Sequence, residues 1–202
     1  MRQSVFEYID NLDTLLAVVV GALLATGGAM VAELVQDRLG RKRKEREAAR
    51  FFGEILTTVD RILDFAFASI ERGERWGNVS LRLFKTALNE TAVYERNRER
   101  LFEVGDFELR QVIHSHFLIE TIPLAALIEH WEEIKALEKE ISDSEQLSET
   151  RRNNLNAELE ALTEARQAAL DSIREAHAKT EAICETLEPF AGMKFPSHAP
   201  PV

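Results

Sequence analysis

The side chains best suited to metal or nucleophilic chemistry in this 202-residue chain are five histidines and a single cysteine. His114 and His116 are two residues apart, so on a helix they point to different sides. A metal-binding pair on one helix needs a spacing of three or four. The carboxylate-bridged di-iron pattern places Glu three residues before His. The residues three before His114, His116, His130 and His177 are Gln111, Ile113, Leu127 and Arg174, and none is a carboxylate. On that spacing no metal ligand and no cofactor is expected. Cys184 has no histidine beside it and reads as a buried structural thiol, not a nucleophile. No phosphate-cradling glycine loop, G-x-S-x-G elbow or H-E-x-x-H pair occurs. The expectation is a chain without catalytic residues, and not an enzyme.

The elements that would position any chemistry are organised around Thr14–Ala32, TLLAVVVGALLATGGAMVA, a run of 19 residues without a charge. As a helix it covers about 28 Å, close to the hydrocarbon thickness of a bilayer. Asp10 and Asp13 precede it, and Glu33, Asp37 and Arg38 follow. A cleaved signal peptide wants a basic start and a shorter apolar core; here Glu7, Asp10 and Asp13 crowd the start. The run therefore reads as one transmembrane helix. Its small residues Ala17, Gly21, Ala25, Gly28 and Ala32 share a helix face. Such a face lets backbones approach, which suits self-association or packing on another membrane protein.

Arg41, Lys42, Arg43 and Lys44 form a basic collar just after the span. Lys and Arg near a span mark its cytoplasmic side. The N-terminus is accordingly expected outside, and the remainder in the cytoplasm, attached to the cell inner membrane by a single pass. The collar also suits anionic lipid head groups. Residues 36–50 hold seven basic and three acidic side chains, net +4, whereas residues 51–202 hold 17 basic and 28 acidic, net −11, within a chain total of −10. An acidic body disfavours nucleic acid as a partner. A lone cysteine permits no intrachain disulfide, which fits a reducing compartment.

Between Asp37 and Glu188 helix breakers are few and strand-like alternation is absent. The predicted fold class is all-α: a single N-terminal transmembrane helix followed by a cytoplasmic antiparallel helical bundle with a long coiled-coil-like helical hairpin. The expected divisions are 1–13 outside, 14–35 transmembrane, 36–50 collar, 51–188 bundle, and 189–202 a flexible Pro-containing tail.

Phe51, Phe52, Ile55, Leu56, Val59, Ile62, Leu63, Ala66, Phe67 and Ile70 give the first cytoplasmic helix one apolar stripe, with Asp60 and Asp64 assigned to other faces. Trp76 then caps the core from a loop at 73–77. A second helix is predicted over Val79–Phe102, with Asn78 or Ser80 as cap and a stripe that includes Leu81, Phe84, Leu88, Tyr94 and Phe102. A third begins near Phe107 behind an Asp106 cap. Its face uses Leu109, Val112, Ile113, Phe117 and Leu118 or Ile119, and a kink or break is expected before Pro123. It resumes through Trp131 to Ile141.

Ser142 to Glu145 has capping-box spacing at the following turn. The last helix carries the most regular four–three pattern: Leu155, Leu159, Leu162, Arg166, Ala169, Ile173, Ala176, Thr180, Ile183 and Leu187. Trp131, Leu155, Leu159, Leu162, Ile173 and Ile183 are the expected hairpin seam, and Pro189 the expected end of the helix.

This layout points to a membrane-anchored, non-enzymatic interaction or scaffold protein that joins copies of itself, another membrane protein or a cytoplasmic partner. The alternative is an accessory or regulatory subunit of a channel or transporter. A single span with no deep polar residue forms no conduction path alone.

Overall fold

A computed structural model of the chain describes residues 5–73, 75–143 and 148–196, with side chains from residue 16 onward. These residues are helical almost throughout, and no strand occurs among them. Four α-helices follow in order: α1 (Val5–Arg72), α2 (Asn78–Arg96), α3 (Phe107–Asp143) and α4 (Glu149–Ala191). A 3-10 helix, Arg98–Glu103, lies between α2 and α3. The chain divides into two compact units, Met1–Lys44 and Glu45–Val202.

In the first unit the helix already covers residues 5–13, the stretch expected as a short external segment. Its apolar side chains, Leu16, Val18, Val19, Val20, Leu23, Leu24, Met30, Val31, Leu34, Val35 and Leu39, are all exposed. The Thr26 hydroxyl donates to the Ala22 carbonyl at 2.8 Å, so the polar side chain in this apolar run is satisfied within the helix.

In the second unit each helix turns its periodic stripe inward. Phe52, Ile55, Leu56, Val59, Leu63, Ala66 and Ile70 of α1 are buried, as are Phe84, Ala87 and Tyr94 of α2. Tyr94 is the hub. Its ring stacks on Phe117 with centroids 4.0 Å apart and meets Phe52 edge-on at 5.9 Å. Its hydroxyl shares a 2.7 Å hydrogen bond with His114 Nδ1. Aromatic pairs in these geometries add to the free energy of burial alone. Helices α3 and α4 pack along each other. The contacts Glu140 to Arg151, Trp131 to Arg166 and His116 to Thr180 show that they run in opposite directions.

Several boundaries differ from those read off the sequence. The second helix stops at Arg96, not Phe102. Asn97 Nδ2 donates to the Val93 carbonyl at 2.8 Å and the chain tightens into the 3-10 helix. Phe102 consequently turns outward and is 79% exposed. Helix α2 has Gly77 at its N-cap, with no side-chain cap; Ser80 instead pairs its hydroxyl with that of Ser69 at 3.1 Å. Asp106 does cap α3, accepting from the Leu109 amide at 3.0 Å.

Pro123 lies inside α3 without ending it. The carbonyl that loses its donor belongs to Ile119, which is exposed, so water can serve it. Val112, Leu118 and Ile119 are exposed as well, because the inward line of α3 runs through His116, Phe117 and Glu120 instead. The capping box expected at Ser142–Glu145 is replaced: Ser142 and Asp143 are still helical, and Ser144 and Glu145 lie outside the described residues. Ser148 caps α4, accepting from the Arg151 amide at 3.3 Å.

Pro189 likewise sits within the last turn of α4, which ends at Gly192 in the left-handed conformation (φ 62°). A glycine adopts this conformation without strain, and its amide closes the helix by donating to the Glu188 carbonyl at 2.8 Å. The tail expected to begin at residue 189 is docked as far as Phe195. Arg50 Nε donates to the Ala191 carbonyl at 2.9 Å, and the Phe195 amide donates to Glu188 Oε1 at 3.1 Å. The Phe195 ring lies directly on Gly53, where even a methyl group would overlap it. Residues 197–202 lie outside the described residues.

Candidate functional site

The residues singled out from the sequence fall in three places. Ala17, Gly21, Ala25, Gly28 and Ala32 are exposed along the first unit, and nothing lies within 4 Å of a side chain added at Gly21 or Gly28. Arg41, Lys42, Arg43 and Lys44 are likewise exposed. The hairpin-seam residues lie in the second unit: Trp131, Leu155, Ile173 and Ile183 are buried, and Leu159 and Leu162 half-buried. Arg166, a polar member of the same heptad, is buried with its guanidinium 3.9 Å over the Trp76 ring. Trp76 in turn meets Trp131 edge-on at 5.5 Å. The polar heptad position is thus accommodated by cation–π stacking.

A second constellation went unread in the sequence. Asp60 and Asp64 of α1 both face α4, where His177 Nε2 lies 3.3 Å from Asp60 Oδ1 and 3.1 Å from Asp64 Oδ1. The assignment of these aspartates to outer faces is corrected accordingly: Asp60 is buried and Asp64 half-buried, since each is adjacent to the apolar stripe. Phe67 packs edge-on against the His177 ring at 5.2 Å and holds its plane.

One turn along α4, Thr180 Oγ1 lies 3.1 Å from His116 Nε2 of α3. The same nitrogen is 3.9 Å from Glu120 Oε2, one turn along α3. Glu120 is 1% exposed, and neither carboxylate oxygen has a hydrogen-bond partner among the described residues. Six polar side chains from α1, α3 and α4, four of them buried and two half-buried, therefore lie close together within this unit.

Burial governs the protonation of this group. It pushes Glu120 up to about 8, with the negative charge of Asp60 adding to the effect. It pulls His116 down to about 4, helped by the positive charges of Lys179 and His177. Burial also lifts the Cys184 thiol to about 12, reinforced by Asp60, Glu188 and Glu181. At neutral pH the inner pair His116 and Glu120 is uncharged, and Cys184 remains a thiol, unsuited to nucleophilic attack.

Asp60 also forms part of the wall of a cavity of about 230 Å³. Thr180, Cys184 and Phe195 line it, and Glu181, Glu185 and Glu188 give it an acidic rim. One nitrogen and two carboxylate oxygens within 4.8 Å of one another, from Asp60, Asp64 and His177, are a donor set able to hold a metal ion.

The sequence signal was a helical spacing of four. Asp60 and Asp64 are four apart, and so are His116 and Glu120; a test restricted to Glu three before His passes over both. Carrying the four–three line of α3 from Ile113 through Phe117 and Glu120 to Leu124 also places a carboxylate in the core stripe. Comparison with protein-family models, with curated proteins and with solved structures yields no match for this chain.

Proposed function

We propose that the protein is a membrane-tethered, non-enzymatic interaction module. Its first apolar segment crosses the bilayer once, and its second unit is a cytoplasmic helical bundle. The observation that carries this reading is the apolar window opening at Leu16, with mean hydropathy 2.0 and none of it buried within the protein. An uninterrupted apolar surface of that length is unstable in water and needs hydrocarbon around it. Among the described residues two helices are long and apolar enough by composition to cross a membrane, the other being α3. Helix α3, however, carries Glu120 and His116 inward and has 39% of its window buried against the rest of its own unit. We assign it to the core. The collar Arg41 to Lys44 orients the span, with residues 45–202 on the cytoplasmic side.

The tether's small-residue face, Ala17 to Ala32, is the surface we assign to association with a second copy of this chain. To test location and orientation, a Glu158→Cys, Cys184→Ala variant is labelled with a membrane-impermeant maleimide. Labelling in inverted vesicles and protection in right-side-out vesicles is the expected result. Recovery of the chain in the soluble fraction sinks the tether, and labelling from outside reverses the orientation. For association, Gly21→Leu with Gly28→Leu should lower the particle mass in detergent; an unchanged mass removes the assigned face.

A further inference from the structure

We propose that Asp60, Asp64 and His177 form a binding site for a first-row divalent cation within residues 45–202.

The first support is geometric. The His177 nitrogen is 3.3 and 3.1 Å from oxygens of the two aspartates, and all three donor atoms lie within 4.8 Å of one another. Ligands about 2.0–2.2 Å from a tetrahedral ion are themselves about 3.3–3.6 Å apart. The imidazole is thus already at nearly the separation from each carboxylate that an ion would impose, and the two carboxylates are within 4.8 Å of each other. Asp60 and Asp64 arise from one face of α1, four residues apart, and His177 reaches them from α4. The ligands come from two rigid helices, not a loop.

The second support is Glu120. It is a carboxyl group at 1% exposure whose two oxygens lack a hydrogen-bond partner among the described residues. Burying such a group without a partner costs several kcal/mol unless something in the interior satisfies it. Its Oε2 is turned toward His116 Nε2, and that nitrogen contacts Thr180, one turn from His177 on α4. Thr180 and Asp60 line the same cavity. Glu120 faces His116 behind the three donors, near enough for the charge of Asp60 to act on it, and adds a buried acid to the group without being one of the gathered ligands. Asp60 and Asp64 place two carboxylates around one imidazole, a surplus of acidic groups that a divalent cation balances.

The third support is a route. The cavity reaching Asp60 is rimmed by Glu181, Glu185 and Glu188, with Lys194 its one lining cation among the described residues. Acidic walls concentrate cations at the entrance. The donor set selects the metal class. An imidazole nitrogen with carboxylate oxygens suits Zn²⁺, Fe²⁺ or Mn²⁺, whereas Ca²⁺ and Mg²⁺ prefer oxygen alone. Cys184 lines the cavity as a thiol and is not counted among the ligands.

The test uses the full-length chain in detergent, with any affinity tag removed, stripped by chelator and dialysed. Calorimetric titration with Zn²⁺ should show one ion per chain. His177→Gln and Asp64→Asn should each weaken binding at least tenfold, with unchanged circular dichroism. No binding, or equal affinity in wild type and in both His177→Gln and Asp64→Asn, overturns the site. If those variants fail to fold, Mn²⁺ bound to the wild-type chain decides the matter by pulsed electron paramagnetic resonance. Coupling to an imidazole nitrogen supports the site, and its absence overturns it.

Discussion

The two units of this protein use the same apolar residue types and turn them in opposite directions. In the first, Leu16, Val20, Leu24 and Val31 look outward. In the second, Leu56, Val59, Leu124 and Leu170 look inward. A helix covered by its own chain needs an apolar stripe, and a helix bathed in hydrocarbon needs apolar residues all round. The difference is what the proposed tether rests on. It also sets off one cluster among the buried polar groups. Asp60, His116, Glu120 and Thr180 are buried in the second unit, where the stripe rule calls for apolar groups.

The comparison breaks most sharply by placing a charge in each unit. Leu124→Asp should unfold residues 45–202, since an unpaired buried carboxylate exceeds the usual margin of about 5–15 kcal/mol when added to the lost packing. The chain should remain in the membrane fraction. Val20→Asp with Leu24→Asp should do the reverse. Each charge near the middle of a span costs about 2.5–3.5 kcal/mol, so the chain should leave the membrane while thermal unfolding of the second unit is retained. Loss of both properties in either variant would abolish the distinction between the units.

A milder probe is Phe117→Ala, which removes the ring stacked on Tyr94. A loss of about 3–5 kcal/mol in denaturant unfolding is expected. A loss below about 1 kcal/mol would show that the aromatic hub is not where the stability of this unit resides.

The buried exception is sharpened by pH. In chelator-treated protein, Glu120 holds its proton up to about 8 when folded, whereas an ordinary carboxyl releases it near 4.5. Between those values the unfolded chain binds fewer protons than the folded one. Stability from this group is therefore complete below pH 4.5 and is lost as pH rises toward 8, by about 1.4 kcal/mol per unit. His116 acts in the opposite sense: with its value at about 4, it favours unfolding as pH falls below 6.5. Glu120→Gln should flatten the loss between pH 4.5 and 8 and leave in place the His116 contribution below pH 6.5. An unchanged slope between pH 6 and 8 would mean that the carboxyl ionises normally.

The smallest effect concerns the docked C-terminal segment. Gly53→Ala should cost about 1–3 kcal/mol by displacing the Phe195 ring. Combining it with Phe195→Ala should relieve much of that cost, read as a coupling in a double-mutant cycle. Additive losses would show that the ring and Gly53 are not in contact in solution.

What was legible in the sequence was whatever local periodicity and composition decide. The helical class follows from the period of the apolar residues and the scarcity of breakers. The apolar run at 14–32 follows from length and the absence of charge. The heptad from Leu155 to Leu187 follows from its four–three spacing. These properties belong to single segments, so one segment is enough to read them.

Tertiary structure decided the rest, because it depends on which side of a helix meets another helix. Phe102 and Val112 are apolar yet exposed, since the bend after Arg96 and the rotation of α3 turn them away from the core. Phe195 is buried because Gly53, 142 positions earlier, leaves room for its ring. Above all, Asp60, Asp64, His177 and Glu120 come from three helices, and no spacing within one segment reveals that they converge. The sequence by itself determined which stretch of the chain is apolar and uncharged over the length of a bilayer. Only packing determined which carboxylates would be enclosed together, and a buried carboxylate acquires its chemistry from the neighbours that enclose it.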